Sequence, residues 1–98
     1  MNKLAFKLTN EFDDYLRECF ERKEVTLKWI KKHFKLSLEE AKVVYEEYLR
    51  FEDDVFLHNT LYELSFMEET PTIGRIISKF EVSYLLAKHI YDFYMENI

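Results

Sequence analysis

Residues 26–49 read TLKWIKKHFKLSLEEAKVVYEEYL, and residues 72–95 read TIGRIISKFEVSYLLAKHIYDFYM. With a constant offset of 46, eight positions are identical: Thr26/Thr72, Ile30/Ile76, Phe34/Phe80, Ser37/Ser83, Ala41/Ala87, Lys42/Lys88, Tyr45/Tyr91 and Tyr48/Tyr94. Repetition at a fixed period indicates one structural unit that occurs twice. Each copy predicts a short helix, a tight turn and a longer helix, because apolar residues recur at helical spacing on both sides of the turn.

The helix starts within the repeat are marked by cap residues. Thr26 and Thr72 precede the short helices, and Ser37 and Ser83 precede the longer ones. A hydroxyl at this position accepts a hydrogen bond from a backbone N–H of the first turn. Glu40, three residues after Ser37, completes the pattern of a capping box.

A further helix is predicted ahead of each repeat copy. Thr9 or Asn10 caps the first, and the acidic cluster 52–54 precedes the second. Residues 3–8 fit either a short edge strand or the start of a helix. The prediction is therefore an all-α protein, with residues 1–98 as a single domain. It contains two helix-turn-helix-like units of three helices, about 9–50 and about 54–98, around a shared core.

Composition restricts the class of protein. The chain has 98 residues, is 48% hydrophobic and 17% aromatic, and contains one Gly and one Pro, which favours helices over long loops. It has no apolar run long enough for a membrane span, and Lys3 and Lys7 interrupt any signal-peptide pattern. A single cysteine, Cys19, suits a reducing compartment, so we expect a cytoplasmic protein.

The helix-turn-helix interpretation depends on the residues around the turn. Ala41 and Ala87 allow close approach of two helices, while Leu36 and Val82 fill the corner. The pattern Thr72-Ile73…Ile76…Phe80-Glu81-Val82-Ser83-Tyr84…Ala87…Ile90 resembles the gamma domain of FtsK-type bacterial DNA translocases. That family is a small winged helix that reads chromosome orientation sequences. The resemblance implies a three-helix unit in each half.

The chain departs from that family where DNA would be read. In the family, polar and basic residues that touch bases open the second helix. The matching positions here are Glu39, Glu40 and Val43 in the first copy and Leu85, Leu86 and His89 in the second. No wing follows either copy. The skeleton is kept, and the base-reading residues are absent.

The last helix is predicted to be apolar on two faces. At 100° per residue, Leu86, His89 and Phe93 share one side, with Leu85 close to them. A helix that is apolar nearly all round is either buried by other elements or used as an interface. We predict a protein interface at Leu85, Leu86, His89 and Phe93, for a homodimer or another protein. The equivalent face of the first copy holds Glu40, Val43 and Glu47 and is acidic.

Two charged segments support other hypotheses. Lys28, Lys31, Lys32 and Lys35 form a candidate phosphate-contact face beside the first repeat copy, or else a solvated helix surface. Residues 51–69 carry six acidic groups and no lysine or arginine. Carboxylates along a helix can imitate DNA phosphates, as in inhibitors of the phage or mobile-element type, and a solvated face is the alternative.

The sequence contains no pattern for catalysis, a metal or a cofactor. There is no glycine-rich phosphate loop, and Cys19, His33, His58 and His89 are too scattered to predict a metal site. We expect a non-enzymatic regulatory or inhibitory protein that acts through protein contacts, on a partner that handles DNA by analogy with the fold. The second hypothesis is a helix-turn-helix DNA-binding regulator, and the third is an acidic DNA mimic. No hypothesis involves a membrane or a small-molecule substrate.

Overall fold

A computed structural model describes residues 2–97 and shows seven α-helices and no strand within that range. The helices are α1 Lys3–Lys7, α2 Asn10–Phe20, α3 Leu27–His33, α4 Leu38–Arg50, α5 Asp54–Leu64, α6 Ile73–Phe80 and α7 Tyr84–Glu96. The all-α prediction is confirmed. None of the described helices has the length and apolar character that crossing a membrane requires.

The predicted helix starts are confirmed in detail. The side chains of Thr26 and Thr72 accept hydrogen bonds from the third backbone N–H after them, at 3.1 and 3.2 Å. Those of Ser37 and Ser83 do the same for α4 and α7. Thr9 caps α2. Local side-chain chemistry therefore sets where these helices begin.

The backbone repeats at the same offset of 46 residues as the sequence. Helices α4 and α7 begin and end at residues that differ by 46. The turns before them each contain one residue in the left-handed region, Lys35 with φ 56° and Glu81 with φ 53°. Neither is a glycine, and this region costs an L-residue roughly 1–2 kcal/mol. Both turns are therefore held by the packing of the helices around them.

Each repeat copy is completed by the helix that precedes it. In unit one (α2–α4), α4 packs against both α2 and α3, and in unit two (α5–α7), α7 packs against both α5 and α6. The remaining helix is α1, at residues where the sequence fits either a short edge strand or the start of a helix. Asn2 caps it by accepting from the backbone N–H of Leu4 at 2.8 Å.

The core differs from the single shared core that the sequence predicted. Unit one and unit two each surround a buried cluster of their own. Ile30, Ala41 and Val44 lie in the first, and their repeat equivalents Ile76, Ala87 and Ile90 lie in the second. Phe51 packs against both clusters. The molecule is elongated and measures 43 × 29 × 18 Å.

Candidate functional site

The predicted interface on α7 requires a correction at Leu86. This side chain is fully buried in the second core cluster, so no partner of the folded chain can contact it. Helical periodicity placed Leu86 on a second apolar face of α7, and that face lies inside the molecule. A helix that is apolar nearly all round is either buried by other elements or used as an interface, and at Leu86 the chain's own elements bury it.

The other three predicted interface residues are half-buried and contact neighbouring elements. Leu85 packs against the core cluster of unit one. His89 Nε2 lies 3.0 Å from the carbonyl oxygen of Phe51. The Phe93 ring lies 5.5 Å, centroid to centroid, from the ring of His58 on α5. These contacts join α7 to unit one and to α5.

The equivalent face of α4 lies partly against α1. Phe6 of α1 and Val43 of α4 belong to the same buried cluster. Beside them lies a groove of about 290 Å³, lined by Lys3, Phe6, Glu39, Glu40, Lys42, Val43 and Glu46. Three carboxylates and two ammonium groups therefore line this groove.

A buried charge cluster links α1 and unit one to the turn of unit two. Glu47 is fully buried, and its Oε2 accepts a hydrogen bond from the backbone N–H of Ser83 at 2.6 Å. Its Oε1 lies 3.4 Å from both Lys7 Nζ and an Arg50 guanidinium nitrogen. Lys7 Nζ also donates to the carbonyl oxygen of Glu81 at 2.9 Å. The carboxylate is thus paired and hydrogen-bonded, as a buried charge requires.

A second carboxylate of unit one lies near the start of α7. Asp13 Oδ1 is buried and has no hydrogen-bond partner in the range 2–97. Burial raises the pKa of the Asp13 carboxyl, and nearby Asp14 acts in the same direction. The guanidinium of Arg17 and the backbone N–H of Leu85 oppose that rise in pKa. Burial has the largest effect, so ionised Asp13 costs the folded state free energy.

The four candidate phosphate-contact lysines are exposed and lie on α3 and the turn after it. Lys28, Lys31, Lys32 and Lys35 make no ion pair within 4.0 Å in the described part of the chain. Spacings of three and four residues bring Lys28, Lys31 and Lys32 to one face of α3, and Lys35 follows in the turn. The unit-two equivalents are Gly74, Ile77, Ser78 and Glu81, so this basic face occurs only once in the repeat.

The aromatic side chain beside these lysines is already stacked. Trp29 lies between the Arg22 guanidinium, 4.1 Å from the ring centroid, and the His33 ring, 4.7 Å away at an interplanar angle of 15°. His33 Nε2 is 3.3 Å from a Glu18 carboxylate oxygen. With these neighbours, Trp29 does not offer a free stacking surface to a base. The lysine face is suited to phosphate contact without base reading.

The most exposed large apolar side chains lie on α5 and the turn after it. Val55 is 71% exposed, Tyr62 65% and Phe66 70%, and we call these three residues the α5 stripe. The Tyr62 and Phe66 rings contact each other edge to face at 4.9 Å. Beside them is a groove of about 480 Å³ between α5 and the end of α7, lined by His58, Leu61, Tyr62, Ser65, Tyr94 and Asn97.

The sequence analysis did not identify the α5 stripe, although helical spacing groups Leu57, Leu61 and Leu64 as the inward face of α5. Leu57 and Leu64 are indeed buried, and Leu61 is half-buried. The sequence nevertheless contains a pattern that indicates the stripe. Once those leucines are placed inside, the spacing of 55, 62 and 66 leaves a second apolar face on the opposite side.

The acidic residues of segment 51–69 lie at the two ends of α5. Glu52, Asp53 and Asp54 lie at its start, whereas Glu63, Glu68 and Glu69 lie at or after its end. Asp53 is the N-cap, and its carboxylate accepts from the backbone N–H of Phe56 at 3.1 Å. Glu69 pairs with Arg75 at 2.6 Å. The carboxylates therefore flank the α5 stripe and do not form the continuous row that imitation of DNA phosphates would use.

The remaining reactive side chains are dispersed. Cys19 is buried, and burial raises the pKa of its thiol to about 11, which keeps it protonated and unreactive. In the described range, no three His, Cys, Asp or Glu side chains group together as metal ligands. Comparison of the chain with protein-family models, with curated proteins and with solved structures finds no match to any of them.

Proposed function

We propose that this protein is a non-enzymatic cytoplasmic regulator that acts through protein contacts, and that its contact surface is the α5 stripe. The observation that carries this proposal is the exposure of Val55, Tyr62 and Phe66, each at 65–71%. Grouped large apolar side chains at this exposure are typical of interaction sites. The surface replaces the α7 face, whose central residue Leu86 is buried.

The size of the stripe indicates a transient contact. Burying one large apolar side chain is worth roughly 1.5–3 kcal/mol, so three give about 5–9 kcal/mol. Association costs an estimated 4–15 kcal/mol in lost translational and rotational freedom, and desolvation of polar groups adds to that cost. The stripe alone therefore supports weak binding, and additional contacts at its edge decide the affinity. A regulator that must release its partner fits this balance.

The proposal includes the history of the fold. We infer that the α3–α4 and α6–α7 pairs are helix-turn-helix-like units, related to each other by duplication and similar to the FtsK-type gamma domain. Contacts at two faces support this inference: α1 lies beside the outer face of α4, and Phe51 and α5 contact that of α7. Such a pair would keep a DNA-binding skeleton and act on a DNA-handling partner without reading bases.

Site-specific photocrosslinking tests the proposed surface. A benzophenone side chain at position 62 should capture a discrete protein species in cells that express the chain. The matched control is the same group at position 38, because Leu38 is 48% exposed and lies on unit one. Equal capture from both positions, or none from position 62, would contradict the proposal. Sedimentation of the purified chain shows whether the captured species is a second copy.

A second candidate function is DNA binding through α3, which the four exposed lysines favour. It predicts that log K falls steeply with log salt, because each neutralised phosphate releases a condensed counterion. Lys31→Glu with Lys32→Glu should abolish a mobility shift of duplex DNA at low salt, while Lys88→Glu on unit two should not. Absence of any shift at low salt would exclude this candidate.

A further inference from the structure

We propose that the partner of the α5 stripe is a basic amphipathic helix of another protein. This inference rests on the proposed function and specifies the chemistry of the partner. It is drawn from the geometry of the stripe, the groove beside it and the charges around it.

The geometry of the stripe matches a helix of about three turns. Val55 and Phe66 are eleven residues apart, which at about 1.5 Å per residue corresponds to roughly 16 Å along the axis. Apolar anchors on a partner helix at i, i+4, i+7 and i+11 cover a similar length. The groove between α5 and the end of α7 adjoins Tyr62 and can take an anchor side chain from such a helix.

The charges around the stripe select a basic partner. Segment 51–69 contains no lysine or arginine. Asp53 and Glu69 are already engaged in the cap and in the Arg75 pair. Glu52, Asp54, Glu63 and Glu68 make no ion pair within 4.0 Å among residues 2–97. They lie at both ends of α5, so lysines or arginines at both ends of a partner helix would find a carboxylate within about one Debye length.

The same charges disfavour the other occupants. Two α5 helices packed against each other would bring acidic ends together in either orientation, which opposes a homodimer through this surface. The lysine face of a second copy supplies charge but no apolar anchors, because Trp29 is covered by Arg22 and His33. Nucleic acid and anionic lipid headgroups would be repelled by the unpaired carboxylates.

Two synthetic peptides test the inference with the full chain. The first is an amphipathic helical peptide of lysine and leucine, and the second carries glutamate at each lysine position. Binding of fluorescent peptide is followed by anisotropy. The lysine peptide should bind, and the glutamate peptide should bind at least about tenfold more weakly. Absence of binding by the lysine peptide, or equal binding of both peptides, overturns the inference.

Matched variants assign the binding to the stripe. Tyr62→Ser with Phe66→Ser keeps every charge and should weaken lysine-peptide binding about a hundredfold, because two anchors are lost. Leu38→Ser with Leu49→Ser removes apolar side chains that are 48% and 49% exposed on α4, and it should leave binding unchanged. Glu63→Gln with Glu68→Gln should weaken binding and reduce its salt dependence. Unchanged binding by the stripe variant overturns the inference.

The outcomes separate this inference from the proposed function. If position 62 crosslinks a partner in cells but the two peptides bind equally, the contact surface stands and the basic-helix inference fails. If Phe66→Ser leaves the crosslink from position 62 unchanged and the stripe variant retains the peptide, the surface itself is wrong. Thermal melts of both serine pairs check the fold, and exposed sites should shift them little.

Discussion

The two repeat copies start their long helices with the same serine but complete the cap in different ways. In unit one, the carboxylate of Glu40 accepts from the backbone N–H of Ser37 at 3.2 Å, within the same turn. In unit two, Leu86 occupies the equivalent position, and the backbone N–H of Ser83 donates to Glu47, 36 residues away. The N-cap N–H of α4 is thus paired within its own turn, whereas that of α7 is paired by a side chain of unit one.

This difference adds a contact that joins the two units. Replacing the capping glutamate by Leu86 adds an apolar side chain to the core of unit two. It also leaves the Ser83 N–H without its local acceptor. Glu47 supplies that acceptor, and Lys7 from α1 neutralises it. Loss of a local contact is therefore compensated by a contact between the units, which couples their stabilities.

The largest expected effect comes from giving unit two the cap of unit one. Leu86→Glu recreates the Ser37–Glu40 pattern, but Leu86 is fully buried. Burying a carboxylate there costs several kcal/mol, a large part of the stability of a small domain. We expect a largely unfolded variant by circular dichroism. Leu86→Met is the control, with a loss below about 1.5 kcal/mol. A stable Leu86→Glu variant would show that the α7 face is open.

The next effect tests the link between the units. Lys7→Met should lower the free energy of unfolding by about 3 kcal/mol, because it removes one partner of the buried Glu47 carboxylate. Glu47→Gln in the same chain should restore most of that loss, since a neutral amide oxygen still accepts the Ser83 N–H. Urea unfolding of the two single variants and the double variant measures this coupling. Simple addition of the two losses would contradict it.

A smaller effect is expected for the local cap of unit one. Glu40→Ala removes the acceptor of the Ser37 N–H and should cost about 1 kcal/mol. Because this contact is local, hydrogen exchange should accelerate at Ser37 and remain slow at Ser83. Equal acceleration at both serines would indicate that the two caps are not independent.

The smallest effect concerns the pH dependence at Asp13. Its pKa is raised in the folded state, mainly by burial, so the folded chain holds this proton more tightly than the unfolded chain. Ionisation of Asp13 therefore lowers stability as pH rises through the interval between the two pKa values. Asp13→Asn should gain stability relative to the parent as pH rises from below 3.8, and then reach a plateau. Urea unfolding of the parent and of Asp13→Asn across this pH range measures the difference in their free energies of unfolding. A difference that does not change with pH would contradict the raised pKa of Asp13.

Much of the architecture was readable from local patterns. Thr26, Ser37, Thr72 and Ser83 each cap the helix that was predicted for them, and Glu40 forms the expected capping box. Capping involves residues within one turn of each other, so a linear sequence contains all the information it needs. The helical state of residues 3–7 was not decided, because an alternating pattern over so few residues fits both periods.

The surfaces were much less readable, and the two apolar faces of α7 and α5 show why. Periodicity identified a second apolar face on α7, but Phe51, His58 and the core of unit one contact it. The comparable face on α5, with Val55, Tyr62 and Phe66, is open to solvent. Amphipathic spacing reports that a face is apolar. Which segment covers it depends on contacts between residues far apart in the chain.

The sequence by itself determined the helices α2 to α7, the repeated turn and the positions of the caps, because each depends on neighbours within a few residues. It did not determine α1. Only the tertiary structure decided that Leu86 is buried, that Glu47 caps the partner unit and that the α5 stripe is left exposed. Those features depend on how the two units pack together, and burial and pairing of charges are properties of that packing.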